Sequence, residues 1–479
     1  MPLVAGIDCS TQSTKALLLD SDTGRVAAVG RSEHTVTGTD GARETDPEIW
    51  WTALQDALAQ TGLASEVAAI SVAGQQHGLV VLDGSGNPLR AAKLWNDTQS
   101  APDASGLIEC AGGARWWAEH VGIVPVASFT ATKWAWLRRV EPDVAAAAHA
   151  IRLPHDFLTE RLTGNGVTDR SDASGTAWWS TKTETYSQEV LDMAALQLTT
   201  GMLPTVLGPQ ERAGDVTRVA AEHLGLRPGI PVGPGAGDNA GAAVGLGLES
   251  GVPVISLGTS GTAFLTSESR TVDPSGTVAG FADATGRFLP LAATLNCTLV
   301  IDRIAGWFGL DREAVAPRTD VVVLPFFDGE RTPNLPDAAG SVFGLRHTTD
   351  PSEILLAAYQ GAVFSLLDAL DEIDDRSSGV GADAPLVVVG GGARGATWRN
   401  VIRSLGGRSV QVPDAQELVA LGAAAQATSL LTAEPPDAVA RRWETRKGVV
   451  LPATTRDEEV IDRIRTVRSL ALELNTRGL

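Results

Sequence analysis

The stretch from Gly233 to Gly247 reads Gly-Pro-Gly-Ala-Gly-Asp-Asn-Ala-Gly-Ala-Ala-Val-Gly-Leu-Gly, and in it one acid, Asp238, stands among glycines and small apolar side chains. The apolar Ile230-Pro231-Val232 before it reads as a short buried strand, and residues 240–248 read as a closely packed helix. A carboxylate at such a junction is free to project into a cleft. The bland alternative is a helix cap, a role for which aspartate is a preferred residue. This stretch alone does not separate the two.

Other polar clusters sit at the ends of apolar strands. The first is Asp8-Cys9-Ser10-Thr11-Gln12-Ser13-Thr14-Lys15, which places four hydroxyls, an acid and a lysine between the strands 3–7 and 16–19. Its hydroxyls and amides suit phosphate oxygens, and Asp8 suits a magnesium ion held through water. The structural alternative is a polar hairpin. Gly74-Gln75-Gln76-His77-Gly78 lies between two apolar strands and offers a rim for a polyol, and Leu94-Trp95-Asn96-Asp97 adds an amide and an acid. The device of the first cluster returns in the second half, where Gly258-Thr259-Ser260-Gly261-Thr262 joins the strands 254–257 and 263–265. Two such hairpins, one in each half, point to an internal duplication that grips a polyphosphate. Gly390-Gly391-Gly392, between the apolar strand 386–389 and a helix over 396–405, lets a flat ring or a phosphate approach the backbone. Glu330-Arg331 reads as an ion pair bracing a loop.

The elements that must hold these groups alternate between strands and helices, which is an α/β pattern. Asp46-Pro47 opens one helix, Pro154 another that stops at Gly164, and 168–179 reads as a loop. Helices are expected at 187–196, 216–224, 351–373, 415–430 and 457–475, the last two closing the second half. A chain of 479 residues calls for two domains, here 1–246 and 247–479. With 38 Lys+Arg against 57 Asp+Glu the net charge is −19, which argues against nucleic acid or an anionic membrane as partner. ATP remains compatible, because loop amides and a metal ion bind anions locally. The three cysteines are scattered, and no signal-peptide pattern or membrane-length apolar run is apparent, so a cytoplasmic location is expected. There is neither a P-loop nor a dinucleotide fingerprint at the first strand.

Taken in order, these motifs resemble those of the FGGY carbohydrate kinases nearly end to end, from Gly6-Ile7-Asp8 to Leu421-Gly422-Ala423-Ala424. The motifs Gly74–Gly78, Leu94–Asp97, Ser171-Asp172-Ala173-Ser174-Gly175-Thr176, Gly237–Ala240, Leu257–Gly261 and Gly329-Glu330-Arg331-Thr332-Pro333 are most similar to the branch that phosphorylates D-xylulose. The resemblance implies two duplicated actin-like, hexokinase-like (ribonuclease H-like) domains that close over a nucleotide. It implies Mg-ATP as phosphoryl donor and a pentulose as acceptor, with Asp238 as general base. Gln76, His77, Asp238, Asn239 and Ser128 would hold the sugar. Asp8, Thr11, Lys15, Gly258, Thr259, Gly391 and Gly392 would hold ATP, and Asp8 and Asp238 the magnesium. Other acceptors such as ribulose, arabitol or glycerol are the alternative, and a non-catalytic nucleotide switch of the actin kind is a remote one. A homodimer is compatible with the resemblance. Two positions depart from the pattern: Ser10 stands where many relatives carry glycine, and Gln76 where methionine is frequent.

Overall fold

The computed structural model describes residues 2–476 apart from 336 and 378, with side chains described as far as residue 473. The chain divides into two compact units, each assembled from separate segments. The first comprises Met1–Leu248, Glu268–Leu289 and Ala415–Arg446; the second comprises Glu249–Ser267, Pro290–Asp414 and Lys447–Leu479. The first crossing falls close to residue 246. The helix expected at 415–430, however, packs in the first unit rather than closing the second half.

In the first unit β1 (Leu3–Cys9) and β2 (Ser13–Asp20) form a hairpin, and β3 (Val26–Glu33) continues it antiparallel. On the other side of β1 lies β4 (Val67–Gly74), in parallel. Beyond it β5 (Pro231–Val232) and β6 (Ala236–Gly237) each pair with β4 in parallel. The sequence accounts for this layout. β1 and β4 are almost wholly apolar and buried, as strands covered on both faces must be, and Asp46 caps the helix Pro47–Thr61 by accepting from the Glu48 amide at 3.0 Å. The hairpin loop is tighter than the sequence suggests. Asp8 and Lys15 already lie in the strands as register partners.

The second unit repeats the order. Its hairpin is β7 (Val254–Leu257) with β8 (Gly261–Phe264), and β9 (Phe288–Thr294) extends it antiparallel. β10 (Leu386–Val389) flanks β7 in parallel and β11 (Val410–Pro413) follows. Counted within each unit, both sheets run third–second–first–fourth–fifth strand. The duplication inferred from two hydroxyl-rich turns therefore extends to whole sheets. The helix Pro351–Asp374 is long and apolar enough to cross a membrane by length and composition alone, although Gln360 and Asp368 interrupt its apolar run, and most of its apolar window is buried inside the second unit as a core helix.

The first unit is closed by an unusually intimate contact. The helix Leu418–Thr432 lies against β1 and against the helix Asp238–Gly245 with glycine at the points of touch. A Cβ on Gly6 would stand 1.9 Å from the Ala420 carbonyl oxygen, one on Gly422 1.9 Å from that of Gly241, and one on Gly245 2.0 Å from that of Leu418. No side chain fits there, so backbone meets backbone. Gly422→Ala should cost about 1–3 kcal/mol through overpacking. Gly106→Ala, in a helix where an added methyl meets nothing within 4 Å, should stabilise by up to about 1 kcal/mol. Chemical denaturation of the two variants beside the wild type checks both signs.

Candidate active site

Parallel strands end together, and their carboxyl ends are where α/β sheets place ligands. In the first unit β1, β4 and β6 end in Asp8-Cys9, Gly74-Gln75-Gln76 and Gly237-Asp238, so three of the sequence motifs share one edge. Asp238 is the first residue of its helix and not its cap, since the N-cap is Gly237. The capping alternative is thereby removed. The carboxylate instead turns back on Asn239: its Oδ1 accepts from the Asn239 amide at 2.8 Å and from Asn239 Nδ2 at 2.9 Å. Asn239 Nδ2 also donates to Gln76 Oε1 at 3.0 Å. Gln76, which departs from the family pattern, thus orients the amide that orients Asp238. Burial pushes Asp238 up to about 6, and the Asn239 contacts restrain the rise.

Asp8 is buried, and its Oδ1 has no hydrogen-bond partner. Burial pushes its carboxyl up to about 7 against the pull of Lys15, with the negative charges of Asp238 and Glu417 adding to the rise. Lys15 Nζ stands 3.6 Å from Asp8 Oδ2 and 2.5 Å from Glu417 Oε2. Thr11 Oγ1 accepts from the Trp95 indole at 3.0 Å, so the Leu94–Asp97 motif supports the turn of the first hairpin. Ser10 Oγ donates to the Ser13 carbonyl at 2.8 Å, which closes that turn with a side chain where a glycine would leave it open.

The Gly74–Gly78 motif comes together with an aromatic wall. His77 adopts a left-handed backbone (φ 66°), a conformation that costs a non-glycine residue energy and clusters at functional sites. Its ring meets Phe129 edge-on at 4.9 Å and Phe281 at 5.6 Å between centroids. Ser128 precedes Phe129, and its carbonyl accepts from the fully buried Lys133 ammonium, which burial lowers to about 7. The helix Thr130–Val140 follows directly.

Residues 168–179, expected as a loop, include the strand Val167–Asp169 and the helix Arg170–Ser174. Asp169 caps that helix, and serine, aspartate and glycine had read as turn formers for lack of that information. His155 was overlooked as well, although the Pro154-His155-Asp156 sequence places a histidine and an acid in the first turn of a helix. The same holds for Glu417, whose partner Lys15 is 402 positions away.

In the second unit the ends of β7 and β10 bring Gly258-Thr259 and Gly390–Gly392 side by side. A Cβ on Gly390 would lie 2.6 Å from the Leu257 carbonyl oxygen, and one on Gly392 2.8 Å from the Leu257 Cβ. Gly391 and Thr259 are exposed, so an amide and a hydroxyl are free for a ligand. Thr298 Oγ1 donates to the Gly258 carbonyl at 2.8 Å and fixes the turn. Glu330 forms no ion pair with Arg331 among the described residues. It accepts instead from the Leu295 amide at 2.6 Å, the Arg331 amide at 2.7 Å and Asn296 Nδ2 at 3.1 Å, three donors that satisfy the buried carboxylate without a guanidinium.

Residues 3–245 match the N-terminal domain, and residues 254–431 the C-terminal domain, of the FGGY family of carbohydrate kinases. The chain is 58% identical over 478 residues to the xylulose kinase of Streptomyces rubiginosus, covering 100% of this chain and 98% of that one. The crystal structure of xylulose kinase from Bifidobacterium adolescentis superposes with a TM-score of 0.86 at 37% identity, over 98% of this chain and 99% of that one. A gluconate kinase structure from Lactobacillus acidophilus, at 22% identity, shares the fold with a TM-score of 0.87 over 99% and 98% of the two chains. The fold by itself does not select the acceptor.

The raised carboxyl of Asp8 has a consequence for stability. Because burial raises its carboxyl from the ordinary 3.8 to about 7, the folded state is favoured at low pH and loses that advantage as pH rises through 7. Asp8→Asn removes the desolvated charge. Its thermal midpoint should exceed the wild type's by several degrees at pH 8 and converge with it below pH 4.

Proposed function

The chain belongs to the FGGY family of carbohydrate kinases, and on that premise we propose that it transfers the γ-phosphoryl group of ATP to D-xylulose, giving D-xylulose 5-phosphate and ADP in the cytoplasm. The observation that carries the mechanism is the pair of fixed bonds from Asn239 to Asp238 Oδ1, which leave the other carboxylate oxygen, Oδ2, for a substrate hydroxyl. Asp238 accepts the proton of that hydroxyl as it attacks. Phosphoryl transfer passes through a loose transition state, so aiming the oxygen counts for more than base strength. A carboxylate raised to about 6 is ionised at neutral pH and is a better acceptor than a solvated one.

We assign the acceptor to the first unit, with Gln76 and Asn239 as hydrogen-bonding groups, His77 and Phe129 as a wall and Ser128 at its edge. ATP is assigned to the hydroxyls and amides of Thr11, Gly258, Thr259, Gly391 and Gly392, with Lys15 as the nearest cation to Asp8. In terms of sequence halves, 1–246 carries the sugar and the first phosphate loop and 247–479 the ATP turns. The orphaned, buried Asp8 Oδ1 suits a hard cation. Asp8, with Asp238 beside it, would hold magnesium through water, and that ion would neutralise phosphate charge. A second acceptor stays in play because Gln76 presents an amide at the rim, where a different pattern of hydroxyls could be read.

A coupled ADP-release assay with Mg-ATP and D-xylulose, L-xylulose, D-ribulose, L-ribulose, D-arabitol, xylitol and glycerol tests the reading. D-xylulose should be turned over best, and Asp238→Ala should lose on the order of 10²–10⁴-fold in kcat. A different preferred polyol would keep the mechanism and discard the substrate. ADP release indifferent to every sugar would overturn the kinase reading.

A further inference from the structure

Beneath the strand that leads into Asp238 lies a group of charges with no part in the chemistry above. His155 is fully buried, and its Nε2 stands 3.3 Å from Asp156 Oδ1, 3.4 Å from Asp169 Oδ1 and 3.3 Å from Asp172 Oδ2, all buried themselves. Three carboxylates taken out of water without a cation would be prohibitively unfavourable. Burial by itself drives the imidazole toward its neutral form, but the three acids outweigh burial and hold it up to about 9.

The imidazole is also a mechanical support. A Cβ on Gly235 would lie 2.5 Å from His155 Nδ1, and one on Gly74 would lie 3.2 Å from the His155 Cβ. Gly74 is in turn the register partner of Gly237. From another direction Gln426 Nε2 donates to the Gly235 carbonyl at 2.7 Å, while Gln426 Oε1 accepts from Ser71 at 3.0 Å. Two residues on, the Gly237 amide donates to Ser171 Oγ at 3.2 Å. Ser171 sits in the short helix whose cap, Asp169, accepts from the amides of Ser171 at 2.7 Å and Asp172 at 3.0 Å. The path is therefore continuous: His155 to Asp169, Asp169 to Ser171, Ser171 to the last peptide before Asp238.

We propose that His155 and Ser171 are positioning residues for Asp238, the buried imidazolium bracing the glycine strand from below and the serine hydroxyl fixing the peptide from which the Asp238 helix starts. The proposal rests on the reading of Asp238 as the base. With glycine at 233, 235 and 237 and only Pro234 and Ala236 between them, this segment has little side chain of its own to lock its path, so neighbouring groups supply the restraint. A cation serves better than an apolar filler here, because a positive charge faces three acids at once and, through Asp169, ties the strand to the cap of the short helix.

The test is steady-state kinetics of His155→Gln, His155→Lys and Ser171→Ala beside the wild type, with kcat and KM taken for both substrates and with the thermal midpoint of each. A misplaced base should lower kcat by about 10–100-fold in His155→Gln and Ser171→Ala, while KM for Mg-ATP stays within about twofold. His155→Lys, which keeps the charge, should recover most of the kcat. A folded His155→Gln with wild-type kcat overturns the proposal, as does a lysine variant as impaired as the glutamine one. Should neither His155 variant be soluble, Ser171→Ala decides: unchanged kcat overturns the proposal, and reduced kcat at constant KM for Mg-ATP supports it. A wild type that phosphorylates no polyol defeats the kinase reading, a result distinct from an active wild type whose variants are unimpaired.

Discussion

The backbone-to-backbone contact of the helix Leu418–Thr432 with β1 and with the Asp238 helix is the constraint on which the first unit depends. Gly6, Gly245 and Gly422 are each placed where a methyl group would overlap a carbonyl oxygen, and Gly241 lends its carbonyl to the same seam. Closing three elements to that distance fixes the height of the Asp238 helix above the sheet. It also brings Glu417, at the start of the long helix, within reach of Lys15. One packing decision thus sets both the angle of Asp238 and the ion pair beside Asp8.

Within that frame the site is electrostatically uneasy. Asp8 and Asp238 are both desolvated, Asp8 more so, and each titrates well above an ordinary aspartate. Such carboxylates weaken the folded state and are kept where function needs an acceptor poised near neutral pH. The fold answers with local donors. Asn239 serves Asp238, Lys15 serves Asp8, and Gln76 restrains Asn239 in turn. His77, with its left-handed backbone and its two aromatic neighbours, is held by the same strategy of surrounding a strained residue with rigid ones.

Much of this was legible in the sequence because it is local. The two hairpins follow from apolar runs flanking hydroxyl-rich turns, and Leu386–Val389 was read to the residue from four apolar side chains. The Asp46-Pro47 cap is likewise a rule that needs no tertiary information. What escaped the sequence is what depends on distant partners. The Asp238 helix begins two residues before the reading placed it, because glycines and small residues blur a helix start that tertiary packing then determines. The stretch 168–179 looked like a loop until Asp169 was seen as a cap. The chain's return to the first unit at Ala415–Arg446 arises from pairings across hundreds of positions, for which a single sequence offers no signal. The His155 cluster gathers Asp156, Asp169 and Asp172 from nearby in the chain, but only the fold turns all three toward one imidazole. Glu330 was recognised as structural but given the wrong partner, since backbone amides are invisible to residue-type reasoning.

The central claim is that Asp238 is the base, and the most direct measurement is kcat/KM for the sugar against pH, at saturating Mg-ATP, in the wild type and in Asp238→Asn. The wild-type value should fall with unit slope as pH drops through about 6, where the buried carboxylate takes up a proton. The asparagine variant should retain only a small residual rate with no such limb. The same limb persisting in Asp238→Asn, or a wild-type rate that does not fall in acid, would contradict the account.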